Sequence, residues 1–170
     1  TIDFIGSYAF AGCTGLERVN LSQVNSRTTI GDHAFAGCTR LRSIYIPHMY
    51  TFGRYAFAGS GIRVLQFADD YSFAMYNTRY SFSGIPYLMA VELPGSGTFD
   101  QIEDYAFNEE GRVLDEPLQV YYKGNGEEWD NLVIEIGNEL LWEARWHYNS
   151  GIPEDMMARI LSEVLPEIPN

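Results

Sequence analysis

Hydrophobic and polar positions along the chain repeat with a period of about 25 residues. The segment Ile5 to Cys13, Ile-Gly-Ser-Tyr-Ala-Phe-Ala-Gly-Cys, returns with two substitutions from Ile30 to Cys38, and three weaker copies follow. The central phenylalanines of the five copies are 25, 22, 25 and 25 residues apart; they are Phe10, Phe35, Phe57, Phe82 and Phe107. An internal period of about 20 to 50 residues is typical of repeat architectures in which each unit packs mainly on its neighbours. The pattern predicts a solenoid and one stacked, buried column of all five phenylalanines.

Apolar and polar residues alternate in a short run after each of the first four copies, at residues 16–21, 41–46, 62–67 and 88–93. A period of two predicts a half-buried strand. Stacked rungs then form a parallel sheet on one face, with turns and short helices on the other. The expected fold class is α/β and β-rich, and its core exists only because neighbouring rungs cover each other.

The segment from Ile30 to Pro47 carries a family resemblance. It reads Ile-Gly-Asp-His-Ala-Phe-Ala-Gly-Cys-Thr-Arg-Leu-Arg-Ser-Ile-Tyr-Ile-Pro and resembles the BspA-like class of bacterial leucine-rich repeats. The segment from Val120 to Trp129, with residues 137–138 and 146–149, is similar to the closing segment of such repeats in surface proteins of gut bacteria. The resemblance covers residues 1–149. It implies a right-handed solenoid, secreted or displayed at a cell surface, that recognises other molecules and has no known catalytic residues.

Several copies depart from the pattern. The third copy is three residues shorter than the others, and an aromatic stretch at 69–76 precedes the fourth, where we expect a bend or bulge. The fifth copy lacks the Gly-Cys pair, so a loop through 108–111 is expected before a strand at 118–122. These departures predict uneven curvature rather than an interrupted solenoid.

The C-terminal part of the chain predicts a closing unit and a helix. We expect the solenoid at 1–149, with its closing repeat from about 118, and a capping or linker helix at 150–170. Asn125 and Glu128 have the spacing of a capping box, which predicts a short helix through Trp129, followed by strands near 132–136 and 144–148.

The second helix is expected to begin at Ile152-Pro153 and to end before Pro166. One stripe of this helix is apolar; it holds Met157, Ile160, Leu161 and Val164. Because a terminal rung would otherwise expose its core, we expect the helix to cap the last rung. A linker or dimerisation helix is the alternative.

Charge is concentrated at one end. The net charge is −12; residues 1–100 hold 7 acidic and 7 basic side chains, whereas residues 101–170 hold 16 acidic and 4 basic ones. This distribution argues against binding to nucleic acid or anionic lipid. A solvated acidic face is the first interpretation, and a docking surface for a basic partner is the second.

No leader or membrane-spanning apolar run is visible, so we expect a mature fragment or expressed piece of a longer protein.

Candidate chemistry is sparse. Cys13 and Cys38 occupy equivalent positions in adjacent rungs, where a disulfide is geometrically conceivable. Later copies have Ser60 and Ile85 at this position, so we expect two reduced thiols buried between the rungs. No metal-binding or phosphate-binding motif stands out, and an exposed Asp69-Asp70 pair is a weak candidate for calcium. We expect no catalytic residues, metal or cofactor.

Function is expected on the outward side chains of the sheet. The candidate ligand-binding residues are Arg42, Tyr45, Arg63, Arg18, Gln66 and Glu92. Arginine and tyrosine are common interface anchors, although outward positions of any sheet are polar. The expected function is non-catalytic recognition of a protein or glycan, including one of a host, by a monomer at an extracellular or cell-surface location. A structural spacer is the alternative, and an enzyme comes third.

Overall fold

Strands recur once per rung in the computed structural model, which describes residues 2–47, 51–69, 78–95 and 101–165. In chain order the elements are β1 (Ile2–Ile5), β2 (Val24–Ile30), β3 (Ser43–Ile46), β4 (Thr51–Phe52), β5 (Val64–Phe67), β6 (Ala90–Leu93), β7 (Gln101–Ile102), β8 (Gln119–Tyr122), α1 (Gly126–Asp130), β9 (Val133–Ile134), α2 (Glu139–Trp142), β10 (Arg145–Tyr148) and α3 (Glu154–Ser162). The predicted repeat-by-repeat order of strands is confirmed from the second rung onwards.

All strand pairs within the described ranges are parallel and form three sheets. The largest sheet has the order β10-β8-β6-β5-β3, and the smaller ones have the orders β1-β2-β4 and β7-β9. Equivalent positions pair from strand to strand, so one apolar column of the large sheet faces the core; it contains Ile44, Leu65, Val91, Val120 and Trp146. This register is the predicted parallel solenoid.

The phenylalanine column runs through the core. Four of its members, Phe35, Phe57, Phe82 and Phe107, are at most 1% exposed. Their successive ring centroids are 5.7, 6.0 and 5.0 Å apart. Phe10 stacks on Phe35 at 5.1 Å but is 41% exposed, so the prediction of burial is wrong for this residue. It lies in the first rung, where its ring is stacked on one side, against Phe35.

The first rung also lacks its predicted strand. Residues 16–21 belong to no strand, although Leu16, Val19 and Leu21 still pack on the core. This run lies beyond β3, the last strand at that side of the large sheet within the described ranges. Cys13, also in the first rung, is exposed, so the prediction that it is packed between rungs is wrong.

A ladder of stacked rings lies at the turn that precedes each phenylalanine. Its members have left-handed φ angles between 54° and 61° and ring separations of 5.0, 5.5, 5.6 and 5.1 Å; they are Tyr8, His33, Tyr55, Tyr80 and Tyr105. Positive φ is uncommon for residues with a side chain. Gly137 follows the ladder with a φ of 76°, and a Cβ there would lie 2.1 Å from the Tyr105 ring. Only glycine therefore fits at the end of the ladder.

The closing unit folds as predicted. Asn125 caps α1: its side chain accepts from the backbone N–H of Glu128, and the Glu128 carboxylate accepts from the Asn125 N–H. Strands β9 and β10 lie within the two predicted ranges, and β8 follows the predicted loop. The bend expected at 69–76 falls almost entirely in residues 70–77, outside the described ranges.

Helix α3 does not lie where the sequence predicts. Instead of covering the last rung, it returns over the outward face of the large sheet and buries Ile160 there. The predicted apolar stripe is also too long, because α3 ends at Ser162 and Val164 is 94% exposed. The expected role as a cap is therefore wrong, and the boundary between 149 and 150 stays a prediction.

Candidate functional site

Two columns of side chains make up the outward face of the large sheet. One column begins at Tyr45 on β3 and passes through Gln66, Glu92 and Tyr121 to His147 on β10. The other passes from Ser43 through Val64, Ala90 and Gln119 to Arg145. Three of the candidate residues, Tyr45, Gln66 and Glu92, thus lie in one column, which Tyr121 and His147 extend.

Helix α3 covers the middle of this face. Val64, Ala90 and Tyr121 form a second apolar cluster with Ile160 of α3, and each is at most 3% exposed. Methionines at the edges of the helix also pack on the cluster. An outward face with small and apolar side chains at its centre can bury a helix, because Val64 and Ala90 leave room for it. The chain itself thus occupies the centre of the predicted binding surface.

Arg63 fastens the end of α3 to the sheet. Its Nη1 donates hydrogen bonds to the carbonyl oxygens of Ile160 at 2.8 Å and Glu163 at 2.5 Å, with a longer contact to Leu161 at 3.4 Å. These carbonyls end the helix, where a positive charge is stabilised by the helix dipole. Burial, and then repulsion by Arg42, lowers the pKa of Arg63. At 3% exposed, Arg63 is not available to a ligand, so its predicted exposure is wrong.

Glu92 fastens the beginning of the same segment. Its carboxylate accepts from the backbone N–H of Ile152 at 2.7 Å and pairs with Lys123 Nζ at 3.0 Å. Lys123 also pairs with Asp69 at 2.5 Å. Burial by itself lowers the pKa of Lys123, but the hydrogen bonds to Asp69 and Glu92 outweigh it and raise the pKa. Glu92 is 7% exposed, so its predicted exposure is also wrong.

The remaining predicted residues lie on the side of the face that α3 leaves open. Tyr45 is 55% exposed, Arg42 is exposed and Gln66 is half-buried. We call Arg42, Tyr45 and Gln66 the open strip. Arg18 is exposed as well, but it lies in the irregular run of the first rung and not in a strand. The structure therefore separates the six predicted residues into an open strip, the buried pair Arg63 and Glu92, and a peripheral Arg18.

On the other side of α3 lies a groove of about 680 Å³. Its floor holds Gln119 of β8 with Arg145 and His147 of β10, and α3 contributes Met156 and Arg159. His147 Nε2 lies 3.0 Å from Gln119 Oε1. Cavities of about 300 to 1,000 Å³ are usual for ligand sites.

The loop before β8 forms the third wall of the groove, and Arg112 holds this loop in shape. Its Nη1 donates to the carbonyl oxygen of Leu114, and its Nη2 donates to that of Glu116 at 2.5 Å. Burial lowers the pKa of Arg112, against the opposite influence of Asp115 and Glu109. Carbonyl oxygens do not neutralise a guanidinium, so Arg112 keeps its positive charge beside the groove.

Sequence reasoning did not find this groove. One signal was available in the charge distribution: of the four basic residues in the acidic segment 101–170, three line the groove and the fourth is Lys123. The position of α3 could not be inferred, however, and without α3 the groove has no second wall.

The two thiols differ in environment. Cys38 is buried, and its Sγ lies 3.2 Å from the carbonyl oxygen of Phe10 as a hydrogen-bond donor. Burial and the neighbouring Cys13 raise the pKa of Cys38. Both thiols are free. Within the described ranges no group of three or more metal-binding side chains occurs, and no helix is long and apolar enough to span a bilayer.

Alkylation should therefore distinguish the two cysteines. We expect iodoacetamide to label Cys13 in the folded protein and Cys38 only after denaturation, because the thiolate is the reactive form and Cys38 is both buried and less acidic than a free thiol. Peptide mass mapping after a timed reaction measures both sites. Equal labelling of both would contradict the packing of Cys38, and two fewer hydrogens in the intact mass would reveal a disulfide.

Comparison with known proteins gives one match. A family model described as BspA type Leucine rich repeat region matches residues 3–114, which is more than half of the chain, in six copies. The match counts one copy more than the five phenylalanine-centred segments. Searches against curated proteins and against solved structures find no match.

Proposed function

Because the chain belongs to the family of BspA-type leucine-rich repeats, we propose that it is a non-catalytic recognition module that binds a protein or glycan at a bacterial cell surface. The family establishes the coarser part of this statement, a repeat-based module for binding or scaffolding. An extracellular or cell-surface location is proposed because repeats of this type are typical of surface proteins. A monomer is the simplest state for such a module.

The open strip is the observation that supports recognition most directly. Tyr45 presents an exposed aromatic ring on β3, Gln66 adds an amide at the paired position of β5, and the exposed Arg42 lies just before β3. Binding energy at interfaces concentrates in a few tyrosine, tryptophan and arginine side chains. The strands also hold Tyr45 and Gln66 in place before a ligand arrives, which lowers the entropic cost of binding.

The double variant R42A/Y45A tests this proposal. We expect it to keep its fold, because both side chains lie outside the core, and to lose about tenfold or more in affinity for its ligand. The measurement has two stages. The protein is first applied to a glycan array and to an array of extracellular proteins, and the affinity for each hit is then measured for both forms by surface plasmon resonance.

The control is E109A/E110A, which removes two exposed carboxylates from the acidic half. It should leave affinity unchanged. Loss of binding in this control together with full binding by R42A/Y45A would place the site at the acidic end and support a basic partner. The absence of any ligand on both arrays would favour the second candidate, a structural spacer.

The spacer is supported by the exposed side of the first rung. The phenylalanine column and the ring ladder both terminate at exposed rings, Phe10 and Tyr8, which are 41% and 62% exposed. A further rung placed there would continue both stacks. A module that mainly displays other domains needs such continuity more than it needs a specific face.

A further inference from the structure

The groove between α3 and strands β8 and β10 is positively charged in the acidic half of the chain, and we propose that it binds an extended peptide segment that carries both carboxylates and apolar side chains. This site lies on the opposite side of α3 from the open strip. It does not depend on the ligand proposed for Arg42 and Tyr45.

Charge is the first argument. The groove is lined by Arg112, Arg145 and Arg159 against the carboxylates of Glu116 and Glu163. Its lining is therefore net positive, although residues 101–170 hold 16 acidic and 4 basic side chains. The excess is one positive charge, and guanidinium groups without a carboxylate partner attract anionic groups to the groove. Surrounding negative charge makes this attraction local to the groove.

Two of these arginines are available to a ligand. Arg145 and Arg159 are exposed, and within the described ranges neither forms an ion pair with a carboxylate. Arg159 donates a contact to Met156 Sδ at 3.1 Å, which keeps its side chain beside the groove. Guanidinium groups match carboxylates geometrically through paired hydrogen bonds. The ligand is therefore expected to bring carboxylates to this pair.

The walls of the groove are apolar. Met89 and Met156 line it together with Leu114, Pro117 and Ile160. Methionine adapts its shape to different apolar side chains, and such surfaces suit varied peptides. Tyrosine, tryptophan and phenylalanine are absent from the lining in the described part of the chain. The surface thus fits aliphatic side chains of a peptide better than the faces of sugar rings.

Strand β10 supplies a way to hold the peptide backbone. It is an outer strand of the large sheet, and among the described residues no strand pairs with its other edge. An extended peptide can add to such an edge through main-chain hydrogen bonds. Alternate side chains of the added strand would then lie next to Arg145 and His147, on the face that borders the groove.

A pair of short fluorescently labelled peptides tests the proposal. One alternates leucine with glutamate, and the other alternates leucine with glutamine. We expect the glutamate peptide to bind the whole chain in an anisotropy titration. The affinity of the glutamine peptide should be lower by a factor of about ten or more. Binding should shift the backbone amide resonances of 145–147 and 156–160, and it should weaken as sodium chloride is raised.

The variant R145Q/R159Q should lose about tenfold in affinity for the glutamate peptide, because it removes both free guanidinium groups. R27Q/R54Q is the matched control: it removes the same charge at two exposed positions distant in sequence from the groove and should bind as the parent does. Thermal melting of each variant checks the fold. Equal losses in both variants would indicate unspecific attraction and overturn the proposal.

Three other results would also overturn it. The first is equal binding of the two peptides, which would remove the role of charge. The second is a set of amide shifts outside the groove, or no binding at millimolar peptide. The third is displacement of the peptide by polygalacturonate at equal carboxylate concentration, which would assign the groove to acidic glycans. None of these outcomes bears on the R42A/Y45A result, so the two proposals fail separately.

Discussion

Replacement of Phe35 by alanine is expected to lower the free energy of unfolding by about 3–5 kcal/mol, the range for deleting a buried phenylalanine. Phe35 is 1% exposed and its ring lies between those of Phe10 and Phe57, at centroid distances of 5.1 and 5.7 Å. The rungs above and below are fixed by their own backbone hydrogen bonds, so the cavity cannot easily collapse. Urea denaturation followed by circular dichroism measures the loss.

Phe10→Ala is the matched control. The same side chain at the same position of the repeat is 41% exposed there, with a ring stacked on one side only. We expect a loss of about 1–2 kcal/mol, in proportion to the smaller apolar area removed from water. A loss as large as that of Phe35→Ala would mean that Phe10 is covered in solution. Repeating the titration at two protein concentrations would show whether a second molecule covers it.

Replacement of Arg63 by methionine is expected to release α3 from the sheet. Methionine keeps an apolar stem of similar length, so the change removes mainly the donors to the carbonyl oxygens of Ile160 and Glu163. Leaving such acceptors without partners costs about 1–3 kcal/mol. Only one side chain of α3, Ile160, is fully buried in the apolar cluster on the outward face. A loss of this size is therefore large compared with the free energy that holds α3 on the sheet. Amide hydrogen exchange over 154–162 should become faster than in the parent chain.

Arg42→Met provides the comparison for Arg63→Met. Arg42 lies at the equivalent position one rung earlier, where its side chain is exposed and, among the described residues, forms no hydrogen bond to α3. It should leave exchange in α3 unchanged. If both variants exchange alike, Arg63 does not fasten the helix. If Arg63→Met does release α3, the buried ring of Tyr121 becomes accessible and the exposed part of the outward face becomes larger. Repeating the ligand arrays with this variant shows whether the larger surface binds a ligand.

Much of the fold could be predicted because its rules are local and repeat. The spacing of the five phenylalanines predicts rungs, alternation within 41–46 and 62–67 predicts strands, and Asn125 with Glu128 predicts the start of α1. Each of these signals depends on residues within one rung or on the same position in the next rung. All three are confirmed.

The candidate site was predicted only in part. Tyr45 and Gln66 lie in one outward column, as the alternation requires, and they remain accessible. Glu92 follows the same rule of alternation and Arg63 directly precedes a strand, yet both are buried. Alternation determines which side of a sheet a residue faces, but not whether another element covers that side. The sequence predicts that charged residues on the outward face are exposed, because it does not show that a helix covers them.

The sequence by itself determined the repeat, the parallel register and the columns of the core, because each rung is specified by its own pattern and copied by its neighbours. Only the tertiary structure decided how the two ends behave. At the first rung, Phe10 and Cys13 are exposed although their repeat positions are those of core residues in the later rungs. At the other end, the amphipathic pattern of α3 predicts one buried face but not the surface that this face packs on. From the sequence, α3 could cover either the last rung or the sheet. The hydrogen bonds of Arg63 and Glu92, and the apolar surface of Val64 and Ala90, select the sheet. These residues are 60 to 100 positions away in sequence from the residues that they contact in and beside α3.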